Sequence, residues 1–234
     1  MATALIVGAG PGLGAALGRR LATSGFTPVL AARDGARAAA LAQPLGGRGE
    51  VVDAADAASV AALFARLDAA GEPPAIVIYN ASARLRGASA ELDPAAVAQS
   101  LAVTALGGFY VAREAVRRWL ERPPGAEGRR GALGFTGASA SRKGYPRSAP
   151  FAMGKFALRG LAQSLAREYH PLGIHVVHMV IDGGIATEAR LREVADPNAL
   201  LDPDAIAESY VAALLQPLSA WSHEVELRPY CETF

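Results

Sequence analysis

The sequence predicts an α/β protein, a doubly wound parallel sheet in a single domain. Three observations carry this expectation. Short apolar runs alternate along the chain with stretches of helical periodicity. The first apolar run passes through a glycine-rich turn into a helix, as in dinucleotide-binding units. The run Ala75 to Tyr79 is apolar without alternation, as expected of a strand covered on both faces. Strands and helices in this order imply right-handed crossovers.

The opening stretch organises the rest. Ala4-Leu5-Ile6-Val7 reads as a buried strand, Gly8 to Gly14 as the turn, and Leu13, Leu17 and Leu21 as one face of a helix. In such a turn one glycine allows positive φ, one lets the backbone approach a pyrophosphate, and one lets helix and strand pack closely. The helix N-terminus then offers N–H groups and a positive dipole end to phosphates. Thr27 to Ala32 reads as the second strand, ending in Arg33-Asp34. A guanidinium suits the 2′-phosphate of NADP, which favours NADP; Asp34, one residue on, keeps NAD as the alternative.

Glu50 to Asp53 reads as the third strand. Asp56 caps the next helix, whose apolar face is Val60, Leu63, Phe64 and Leu67. The fourth strand, Ala75 to Tyr79, ends at Asn80-Ala81. Asp93-Pro94 starts a helix running with breaks to about Leu120, with Val97, Leu101, Phe109, Val116 and Leu120 as apolar positions. Within it, Gly107-Gly108 marks either a close approach to a neighbour or a joint. Residues 123–131 form a connecting loop. Ala132 to Thr136 is a strand, 137–147 a polar loop, Pro150 to Tyr169 a helix, and Ile174 to Ile181 a strand. The weakly patterned segment 183–203 has the length of a substrate lid. Ala205 to Leu215 is a helix and Glu224 to Arg228 a last strand.

Bulk properties narrow the function classes. Hydrophobic residues make up 51% of the 234, enough for a sizeable core. A net charge of +1 gives no reason to invoke nucleic acid or an anionic membrane. Cys231 is alone, which fits a reducing compartment. The opening apolar run is short and ends in glycines, unlike a secretory leader. No apolar run approaches the ~20 residues of a membrane span. A cytoplasmic protein is the expectation. His175 and His178 lie three apart on a strand and face opposite sides, so no metal site is expected. Trp119 and Trp221 read as packing residues.

Taken together, these residues resemble the short-chain dehydrogenase/reductase family over almost the whole chain. Gly8, Gly12 and Gly14 match its TGxxxGxG turn, with Val7 in place of the threonine; Gly10 and Leu13 lie in the same turn. Asp53 matches the acid that meets the adenine. Asn80 and Ala81 match the middle of its NNAG motif, with Tyr79 and Ser82 as departures. Lys155 matches the lysine of YxxxK. Gly183 and Thr187 match the PG…T segment, with Ile185 between them and Asp182 where proline usually stands. The resemblance implies a seven-stranded Rossmann sheet, a nicotinamide cofactor held by these residues and Arg33, and a homodimer or homotetramer built through the two long helices.

It also implies a proton relay, and here the chain departs. The tyrosine should lie four residues before Lys155, where this chain has Phe151. The serine usually lies thirteen residues before the tyrosine, where it has Ala138; the asparagine position is Thr104. Phe151 has no proton to donate and Ala138 no hydroxyl, and losing a positioned acid costs ~10²–10⁴-fold in rate. Tyr145 is the first candidate substitute and Asp182 the second. Two readings follow: an NADP-dependent oxidoreductase with an atypical proton donor and an unread substrate, or a catalytically silent NADP(H)-binding sensor or interaction module. A different nucleotide or methyl-donor site on the same sheet is a third.

Overall fold

A computed structural model describes residues 1–125 and 127–232. Its strands are β1 (Ala2–Val7), β2 (Phe26–Ala32), β3 (Arg48–Val51), β4 (Pro74–Tyr79), β5 (Gly131–Thr136), β6 (Ile174–Ile181) and β7 (Glu224–Leu227). They form one parallel seven-stranded sheet in the order β3-β2-β1-β4-β5-β6-β7. The order reverses between β1 and β4. In open sheets of this kind, ligands bind beyond the carboxyl ends of the strands at that reversal.

Alternation along β1 sends Leu5 and Val7 to one face and Ala4 and Ile6 to the other, and all four are fully buried. Helices on both faces cover them, so the strand shows no polar face in its sequence. On one side lie α1 (Leu13–Thr23), α2 (Gly35–Ala42) and α8 (Pro203–Leu214), which bring Leu17, Leu21 and Tyr210 against Ile6, Leu30 and Ile78. On the other lie α3 (Ala57–Ala69), α5 (Gly107–Leu120) and α6 (Ala149–Tyr169). The four apolar residues expected on α3 are all fully buried there, each contributing about 1.5–3 kcal/mol. The Asp56 carboxylate accepts from Ala58 N at 2.9 Å and caps α3. Asp93 caps α4 (Pro94–Leu101) through Ala95 N and Ala96 N. Each such cap is worth about 1 kcal/mol.

Several details differ from the sequence expectations. The alanine-rich α2 is not announced by any apolar periodicity and buries only Ala38 and Ala42. β3 runs from Arg48 to Val51, so Asp53 lies beyond the strand rather than in it. Phe109 and Leu120 face outward at 46% and 40% exposure, because periodicity cannot distinguish a core face from an apolar outer face. The joint between α4 and α5 is a five-residue π-turn, Ala102–Leu106, just before the glycine pair. The glycines serve close approach. The Tyr79 hydroxyl donates to Val103 O where a Cβ on Gly107 would stand, and Leu158 fills the space beside Gly108.

The continuous helix Pro94–Leu120 is long and apolar enough to pass for a membrane span by length and composition, which a search for unbroken apolar runs overlooks. Val111, Ala112, Ala115 and Trp119 seat it on the sheet. The segment after β6 carries α7 (Glu188–Leu191) and is closed by an Ile185–Leu201 bridge, with Ala186 N donating to Leu201 O at 2.8 Å.

Candidate functional site

At the β1–β4 reversal the backbone opens a groove of about 400 Å³. Gly8 sits at φ 93°, and a Cβ there would collide with the Ala81 backbone. Asn80 locks the crossing: its N–H donates to Val7 O at 2.8 Å and its Nδ2 to Gly8 O at 2.9 Å. A Cβ on Gly14 would stand 2.8 Å from Ala9 Cα, so α1 can approach the turn only without one. Gly10 and Gly12 differ: a Cβ at either meets nothing within 4 Å. Packing within the chain therefore does not require glycine at these two positions, whereas close approach by a ligand would. α1 starts at Leu13 with no side-chain cap, while Asp34, Asp56 and Asp93 cap α2, α3 and α4. Ala15 N donates back to Gly10 O at 2.9 Å, and the N–H groups of Leu13 and Gly14 ahead of it remain available to an anion.

Arg33, Asp53, Asn80 and Ala81 line the same groove as Gly8 and Gly10. Among the described residues Arg33 has no ion-pair or hydrogen-bond partner. Asp34 is engaged: its carboxylate accepts from Arg37 N at 3.0 Å. Asp53 Oδ1 accepts from Ala55 N at 2.9 Å, and Asp53 N donates to Ser59 Oγ at 3.0 Å, which holds the loop after β3.

Asn80 and Ser82 also border a second cavity of about 620 Å³. Leu13, Lys155, Gly183 and Ile185 reach it, together with Ala138, Tyr145 and Phe151. Lys155 is 3% exposed, and its Nζ donates to Thr136 O at 2.6 Å. Burial lowers its pKa to about 8. Phe151 lies one helical turn earlier, its ring centroid 5.8 Å from Lys155 Nζ and 5.2 Å from Arg84 Cζ. Ala138 N donates to Ser141 Oγ at 3.1 Å. Two loops wall the cavity and are tied by Gly87 N donating to Arg147 O at 3.1 Å. Arg147 holds a left-handed φ of 60°, uncommon for a residue with a side chain.

The remaining sequence candidates lie elsewhere. Thr104 is fully buried, and its hydroxyl accepts from Ala83 N at 3.1 Å. Thr187 caps α7 through Arg190 N at 3.3 Å. Asp182 is 5% exposed; its carboxylate meets Arg228 at 3.2 Å and borders a neighbouring depression with Arg142 and Glu226. Gly12 and Gly14 belong to the turn but do not line the groove. His178 Nδ1 lies 3.0 Å from Glu224, and His175 stacks on Trp221 at 4.5 Å. Trp119 Nε1 donates to Pro74 O at 2.8 Å. Among the described residues no group of His, Cys, Asp and Glu is placed to hold a metal ion. Arg84, Arg86 and Arg190 also line the Lys155 cavity and were not singled out from sequence. The signal was the pair of arginines two apart, Arg84 and Arg86, just after Asn80.

Fold and groove define a doubly wound α/β protein with a glycine turn at its switch point. A short chain dehydrogenase family model matches residues 2–198, and the chain belongs to that family. It is 32% identical over 195 residues to a galactitol 2-dehydrogenase (L-tagatose-forming) of Cereibacter sphaeroides, covering 82% of this chain and 74% of the relative. It is 31% identical over 191 residues to the cyclic-di-GMP-binding biofilm dispersal mediator protein of Escherichia coli, covering 80% of this chain and 74% of that one. The solved structure of a short-chain dehydrogenase from Rhodopseudomonas palustris superposes with a TM-score of 0.82 at 33% identity, over 98% of this chain and 99% of that one.

Proposed function

We propose that the chain is an NADP(H)-dependent oxidoreductase whose proton donor is atypical. The observation that carries this is Lys155, buried and fixed on Thr136 O in a cavity continuous with the glycine-turn groove. Gly8, Gly10, Gly12, Leu13, Gly14, Asp53, Asn80 and Ala81 would hold the dinucleotide, and Gly183, Ile185 and Thr187 its nicotinamide end. Arg33 would take the 2′-phosphate; its lack of a partner and the use of Asp34 as a helix cap both support NADP over NAD. The cofactor supplies the hydride. Lys155 would bind the ribose and keep a positive charge beside the reacting carbon.

At the positions where the family usually has serine and tyrosine, Ala138 and Phe151 offer no proton. Tyr145, which borders the same cavity, is the better-placed substitute, since Asp182 is engaged by Arg228. Such a site suits activated C=C bonds, or substrates needing little acid assistance. The segment 183–203 would serve as a lid. Leu106, Phe109, Met153 and Phe156, each 45–51% exposed, support a homo-oligomer built through α5 and α6. NADPH oxidation is measured against enones, quinones and imines at high enzyme concentration, with Tyr145→Phe alongside. Turnover that drops ~10²-fold or more in the variant supports Tyr145 as the donor.

A second reading is a nucleotide-binding protein without turnover, favoured by Ala138 and Phe151 occurring together. The E. coli relative is named for binding cyclic-di-GMP rather than for an oxidoreduction. Tight NADPH binding with no turnover across the panel would select it.

A further inference from the structure

The Lys155 cavity is lined by four cationic side chains, Arg84, Arg86, Arg190 and Lys155, and, among the described residues, by no carboxylate. Elsewhere several arginines sit directly on acids. Arg66 meets Glu50 at 2.8 Å, Arg118 meets Asp68 at 2.6 Å, and Arg159 meets Glu224 at 2.7 Å. Among the described residues Arg84 and Arg86 have no acidic partner, and the Arg84 guanidinium lies over the Phe151 ring. Arg190 donates to Ile185 O at 3.1 Å. The group is close enough to interact: burial lowers the Arg84 pKa most, and Arg86 and Arg190 then lower it further. Gathering like charges on two separate loops opposes folding, and an anion between them would offset that repulsion.

The glycine turn and Arg33 lie along the adjoining groove, which neither Arg84 nor Arg86 borders. We infer that the cavity receives its substrate by an oxyanion, a carboxylate or a phosphate, held by Arg84 and Arg86 with Arg190 beside them. This rests on the reading of the cavity as the substrate end of an NADP(H) site. A guanidinium matches either oxyanion through paired hydrogen bonds. The hydroxyls of Ser82, Tyr145 and Ser148 can complete the shell.

Binding is measured by calorimetry and ligand-observed NMR at constant ionic strength, on full-length protein with and without NADPH. The probes are inorganic phosphate and malonate, with glycerol as the uncharged control. The wild type is expected to bind one of the anions with a Kd of about 1 mM or tighter, and not glycerol. The preferred probe tells phosphate from carboxylate. R84Q/R86Q should weaken it about tenfold or more, with NADPH affinity unchanged. Arg167→Gln, an exposed substitution on the outer face of α6, should leave both unchanged. Anion binding that is absent, or insensitive to the double substitution, would overturn the inference. So would a parallel loss of NADPH affinity, which would reassign the two arginines to the cofactor. Anion binding that depends on Arg84 and Arg86 in a protein that does not bind NADPH would sustain the oxyanion site and reject the proposed cofactor.

Discussion

Lys155→Met should make the cofactor-free protein more stable at neutral pH while weakening its grip on NADPH. The wild-type ammonium is 3% exposed, and its hydrogen-bond partner is a neutral carbonyl, Thr136 O. Burial lowers its pKa from 10.5 to about 8. At 1.36 kcal/mol per pKa unit, charging this group in the fold costs about 3 kcal/mol at pH 7. Methionine removes that cost but leaves Thr136 O without its donor, a loss of about 1 kcal/mol. The net gain is about 2 kcal/mol, or roughly 4–8 °C in Tm for a chain of this size. The sign with pH is fixed. Below pH 8 both folded and unfolded wild type hold the proton, and the cost is present in full. Between about 8 and 10.5 the unfolded chain holds more protons, so raising the pH stabilises the wild type relative to the variant. By pH 9.5 the cost has fallen to roughly 1 kcal/mol and the advantage of the variant has all but gone. Urea unfolding of both proteins at pH 7 and pH 9.5 measures this. A variant that is less stable than wild type at pH 7, with a gap that does not change by pH 9.5, would refute the assignment of Lys155 as an uncompensated buried cation.

The glycine turn yields a paired prediction. Gly8→Ala should destabilise the fold by more than 2 kcal/mol, through its positive φ and the collision with Ala81. Gly10→Ala, in open space, should leave urea stability within about 0.5 kcal/mol yet weaken NADPH binding measured by fluorescence. Equal stability losses in the two variants would mean that Gly10 is a packing residue. Restoring hydroxyls with Ala138→Ser and Phe151→Tyr together should create or raise carbonyl reduction by ~10²-fold or more, read as NADPH oxidation with a ketone. No change would place the missing element elsewhere in the cavity.

The central strands were legible because burial on both faces writes itself as apolar runs, as in Ala75 to Tyr79; Ile174 to Ile181 was bounded correctly although His175 and His178 interrupt its run. The caps at Asp56 and Asp93 were legible because capping is local. The glycine turn and Lys155 were legible as a spaced pattern. What escaped is non-local or compositionally flat. The α2 helix is five alanines with one glycine, one leucine and one arginine, so it shows little contrast between faces. Phe109 and Leu120 follow helical spacing yet face outward. Asp182 meets Arg228, and Arg84, Arg86 and Arg190 line one cavity, in arrangements that only the folded chain creates. Likewise, the hydroxyls of Thr104 and Thr187 are taken up by backbone N–H groups that no motif names.

The central claim, that the groove beside the glycine turn holds NADP(H) with Arg33 on its 2′-phosphate, is tested most directly by one titration. NADPH and NADH are titrated by fluorescence into wild type and Arg33→Ala. Wild type should bind NADPH more tightly than NADH. The substitution should weaken NADPH about 10–100-fold, as loss of charge-assisted hydrogen bonds to a phosphate does, and leave NADH nearly unchanged. NADPH binding that is indifferent to Arg33→Ala would contradict the account.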